Sequence, residues 1–119
     1  MIEKKNFYIN GKWVSPAKPN DFEVINPSTE EAFAIISLGS AEDADKAINA
    51  AKIAFETWRE STKEERLALL EKFDEIYNRR WDEMVEAQSK EMGAPLDFAS
   101  ETHTKMGADI CRNNIEILK

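Results

Sequence analysis

The sequence is short of the residues that staple small folds or hold metals. Its 119 residues include one cysteine, one histidine, four glycines and four prolines. A lone cysteine, Cys111, excludes an intrachain disulfide. With a single histidine beside it, the four nitrogen and sulfur ligands of a structural zinc site cannot be assembled. The glycines, Gly11, Gly39, Gly93 and Gly107, are too far apart for G-x-G-x-x-G or G-x-x-x-x-G-K-[ST], so no phosphate cradle is expected. No apolar run approaches the ~20 residues that span a bilayer. The opening stretch, MIEKKNFYIN, lacks the long apolar segment of a secretory leader. Positive charge is also in deficit: 16 Lys and Arg against 23 Asp and Glu leave a net charge of −7. Nucleic acid and anionic membrane faces are therefore poor partners, since both demand surplus cations. A cytoplasmic protein is expected.

What is present divides at residue 40. Phe7-Tyr8-Ile9 and Lys12-Trp13-Val14 flank Asn10-Gly11. These two central residues tolerate the positive φ of a type I′ turn, so a β-hairpin is predicted. Two prolines make Ser15 to Asp21 a loop. Phe22 to Asn26 and Ala32 to Gly39 read as strands around the turn Pro27-Ser28-Thr29-Glu30, a second hairpin. From Ser40 the apolar spacing becomes helical: Ala44, Ala47, Ile48, Ala51, Ala54, Phe55 and Trp58 form one stripe. Ser40 with Asp43, and Thr62 with Glu65, have the form of capping boxes. A second helix is expected from Thr62 to Met92, ended by Gly93 and Pro95. A third is expected after Asp97, with Ala99, Met106, Ile110, Ile117 and Leu118 as a thin apolar stripe. The expected fold is α+β and helix-dominated. It comprises two N-terminal hairpins (1–39) and a three-helix segment (40–119) in one domain.

Several stretches then carry a family resemblance: YINGKWV, FEVINPSTEEAFAIISLGSAEDADKAINAAKIAFETW, ERLALLEKF and KEMGAP. In order and spacing, from about Phe7 to Leu118, they resemble the N-terminal part of an NAD(P)-dependent aldehyde dehydrogenase. The resemblance implies the opening of a coenzyme-binding domain, whose hairpins and helices brace a Rossmann-type sheet lying beyond residue 119. The family oxidises aldehydes to carboxylic acids through a thiohemiacetal and a thioester. Its nucleophilic cysteine, general-base glutamate, oxyanion-stabilising asparagine and coenzyme-binding turn match no position here. The resemblance therefore implies a fragment with no catalytic and no coenzyme-binding residue of its own, inactive alone. NAD or NADP would belong to the full-length enzyme. It also implies part of a monovalent-cation site, from main-chain carbonyls of Val24 and Ile25 and the carboxylate of Glu91, with a further ligand from outside the chain.

Other constellations have plainer readings. Cys111 and His103 are eight residues apart, about 12 Å along one helix and too far for a dyad. The acidic pairs Glu30-Glu31, Glu42-Asp43, Glu64-Glu65 and Asp82-Glu83 mostly fall in first helical turns, where they complement the helix dipole. The aromatic set Trp13, Phe55, Trp58, Phe73, Tyr77 and Trp81 is expected to be core, or in part a surface that further chain would cover. The expected partner is the remainder of the dehydrogenase. The alternative is a stand-alone helical module that binds another protein or itself through exposed apolar helix faces.

Overall fold

Asn10 and Gly11 both adopt positive φ, 52° and 73°, as the hairpin reading requires. The strands they join are β2 (Phe7–Ile9) and β3 (Lys12–Val14), paired antiparallel with Tyr8 opposite Trp13. The two rings meet edge to face at 5.3 Å. Trp13, one of the aromatics expected to be core or in part a surface for further chain, is 69% exposed and packs on Tyr8. The computed structural model describes residues 1–119, which divide into two units, Met1–Glu60 and Ser61–Lys119.

In the first unit, β4 (Asp21–Asn26) and β5 (Glu31–Ser37) form the second hairpin. Its turn is closed by Glu30 N–H donating to the Asn26 carbonyl at 2.8 Å. Asn26 Oδ1 accepts from Ser28 N–H at 2.9 Å, a local side-chain bond that favours turns. Glu30 takes a positive φ of 60°. A strand the sequence reading missed, β1 (Ile2–Lys4), adds parallel to the other edge of β5. Three residues, two of them charged, are too few to show alternation, and the partner lies some thirty residues away. The sheet order is β1-β5-β4, and the central strand holds the buried positions Ala34 and Ser37. The ladder shifts register between Val24, opposite Ala34, and Ile25, opposite Ala32. Phe33 is the extra residue of this bulge.

Helix α1 (Ala41–Trp58) begins with the predicted capping box. Asp43 Oδ2 accepts from the Ser40 amide at 2.9 Å and from its hydroxyl at 2.7 Å. Asp43 Oδ1 accepts from Ala17 N–H at 2.8 Å, which ties the proline loop to the helix start. Along the remainder of α1 only Ala50 is half-buried, and the predicted apolar stripe is exposed.

The second unit corrects the helix count. The expected long helix is two: α2 (Lys63–Arg79), capped by Thr62 and Glu65, and α3 (Trp81–Met92). They part at Arg80, whose φ of −101° and ψ of 21° leave the helical region. No glycine or proline marks the spot. Tertiary contact does: Trp81 Nε1 donates to Ser100 Oγ at 3.0 Å, from α3 to a segment 19 residues on. Gly93 ends α3 in the left-handed conformation, φ 71°, as predicted. The last helix starts earlier than expected, at Leu96, and Asp97 lies within its first turn without a capping bond. It runs as α4 (Leu96–Phe98), a π-helical segment (Ala99–Thr104) and α5 (Lys105–Leu118). Here α2 packs on α5 and α3 on the π segment, around Val85, Ala99, Thr104, Ala108, Cys111 and Ile115. Tyr77 Oη donates to the Thr104 carbonyl at 3.1 Å. No helix is long and apolar enough to cross a membrane.

Candidate functional site

The implied cation ligands fall in different units. Val24 and Ile25 lie on β4, and Glu91 in the last turn of α3. The register shift of the β4–β5 ladder lies between Val24 and Ile25, where regular pairing of main-chain groups is interrupted. Glu91 is exposed and sits two residues before the left-handed Gly93. Carbonyl and carboxylate oxygens are the donors a hard cation takes. The chain brings together no group of three or more His, Cys, Asp or Glu side chains that could hold a metal by themselves.

Cys111 is inward-facing on α5 and only 8% exposed. Its Sγ lies 3.8 Å from the Leu70 carbonyl of α2. Burial pushes the thiol pKa up, Asp74 adds to that, and Arg112 opposes it. A nucleophilic cysteine needs the reverse environment. His103 is turned to Phe98, ring to ring at 4.9 Å, and its Nδ1 is buried without a hydrogen-bond partner. No hydrogen bond joins the two residues, in keeping with their helical separation.

Three of the four acidic pairs supply a cap or an ion pair. Asp43 and Glu65 complete capping boxes. Glu42 pairs with Lys46 at 2.7 Å and Glu83 with Arg80 at 2.8 Å, both on exposed helix surface. The aromatics are less buried than expected. Phe73, Tyr77 and Trp81 make a row with centroids 5.9 Å and 6.3 Å apart. Phe73 and Phe55, however, are more than half exposed, at 53% and 57%. The sequence reading missed the role of Gly107. A Cβ there would lie 2.5 Å from Tyr77 Oη, so α2 and α5 approach through a glycine. Only knowledge of the packing partner makes that position legible.

What the chain presents is a bulged sheet, capped helices and a buried thiol whose pKa is raised. The sequence profile of the aldehyde dehydrogenase family matches residues 13–119, and the chain belongs to that family. A 3-succinoylsemialdehyde-pyridine dehydrogenase from a Pseudomonas species is 44% identical over 96 residues, 81% of this chain and 20% of that protein. The crystal structure of an aldehyde dehydrogenase from Bartonella henselae superposes with a TM-score of 0.97 at 52% identity, covering 99% of this chain and 25% of that one. An aldehyde dehydrogenase C variant from Pseudomonas syringae, complexed with NAD+ and octanal, gives 0.93 at 35% identity, covering 96% and 24%. The chain thus spans a fifth to a quarter of the length of these relatives and has the fold of their N-terminal part.

Proposed function

We propose that the chain is the N-terminal scaffold of an aldehyde dehydrogenase, an enzyme that oxidises aldehydes to carboxylic acids with NAD+ or NADP+ in the cytoplasm. The observation that carries this reading is the superposition on the Bartonella enzyme over almost the whole chain. In this role the residues position rather than react. The capping boxes fix where α1 and α2 begin, the bulge sets the β4–β5 register, and Gly93 and Pro95 redirect the chain after α3. The exposed faces of α1, with Ile48, Ile53 and Phe55, are the surface that the remainder of the enzyme covers. Alone, the 119 residues bind no coenzyme and turn over no aldehyde. Val24 and Ile25 carbonyls and Glu91 contribute part of a monovalent-cation site that is completed by the remainder.

Grafting residues 1–119 in place of the matching segment of the Bartonella enzyme tests the reading. The chimera is expected to fold and to produce NADH or NADPH from an aldehyde. A chimera that folds without activity, or one that does not fold, would count against the scaffold role. The isolated chain, mixed with either coenzyme and a panel of aldehydes, is expected to leave the reduced-coenzyme absorbance flat. Turnover by it would overturn the claim of inactivity alone. A second reading, self-association, is favoured by the exposure of Leu69, Phe73, Met106, Ile110 and Ile117 in the second unit.

A further inference from the structure

We draw no further inference here: the strongest candidate, the apolar stripe of Met106, Ile110 and Ile117 along the outer side of α5, is an uncovered helix face, and nothing in the structure shows what covers it.

Discussion

Asp43 is a buried carboxylate, 5% exposed. It accepts hydrogen bonds from the Ser40 side chain, the Ser40 amide and the Ala17 amide, and these hold its pKa below the ordinary value. A carboxyl whose folded pKa is depressed stabilises above its unfolded pKa, about 3.9. That contribution is lost as pH falls through the lower folded value. Thermal melts followed by circular dichroism should therefore show the wild-type chain losing stability on acidification below about pH 4. Asp43→Asn should be less stable at neutral pH and should lose less on acidification. An equal loss in both proteins would remove Asp43 from the account. Gly107 offers a second test. Gly107→Ala gains helix propensity of about 1 kcal/mol but drives a Cβ to within 2.5 Å of Tyr77 Oη. Overpacking of this kind costs about 1–3 kcal/mol, so net destabilisation is expected in urea melts. Adding Tyr77→Phe deletes the clashing oxygen, so the double variant should lose less than the sum of the two single losses. Strict additivity would mean that the two residues do not meet. At Cys111 burial raises the thiol pKa. Labelling by a thiol reagent at pH 8 should be slow in the folded chain and fast in denaturant, and rapid labelling of the native chain would contradict that burial.

Elements here are set partly by their ends. Ser40 and Thr62 satisfy free amides at helix starts, and losing such a cap costs about 1 kcal/mol. The β2–β3 hairpin depends on Gly11 at φ 73°. Gly11→Val forces a β-branched residue into left-handed space, at about 1–2 kcal/mol. Loss of slowed amide exchange across Phe7–Val14, with the second unit unchanged, is the expected result. The break at Arg80 and the π segment at Ala99–Thr104 belong to a different category. Neither has a glycine or proline to announce it. At both, tertiary bonds take hold, with Trp81 bonded to Ser100 and Tyr77 to the Thr104 carbonyl. Such distortions answer to neighbours rather than to local propensity.

Over the whole chain, the large exposed apolar side chains outnumber the buried ones. Ile48, Ile53, Phe55, Leu69, Phe73, Ile110 and Ile117 are all more than half exposed. Of the hydrophobic residues buried below about a tenth, three are alanines. Apolar surface on this scale favours association. The isolated chain is expected to bind a hydrophobic dye and to sediment with a concentration-dependent weight. A monodisperse monomer that leaves the dye dark would speak against the proposed covered faces.

From residue order alone came everything that depends on near neighbours. The Asn-Gly hairpin, the β4–β5 pairing, both capping boxes and the Gly93 stop each rest on contacts within a few residues, and the family motifs are themselves runs of sequence. The separation of Cys111 from His103 followed from helical rise. Tertiary structure decided the rest: the parallel addition of β1, the bulge at Phe33, the break at Arg80, the π segment and the need for glycine at 107. Each depends on a partner far away in sequence, and the energy of such a contact is not written in the residues beside it. The apolar stripe of α1 marks the same boundary, because periodicity reveals that a face is apolar while only packing decides whether anything covers it.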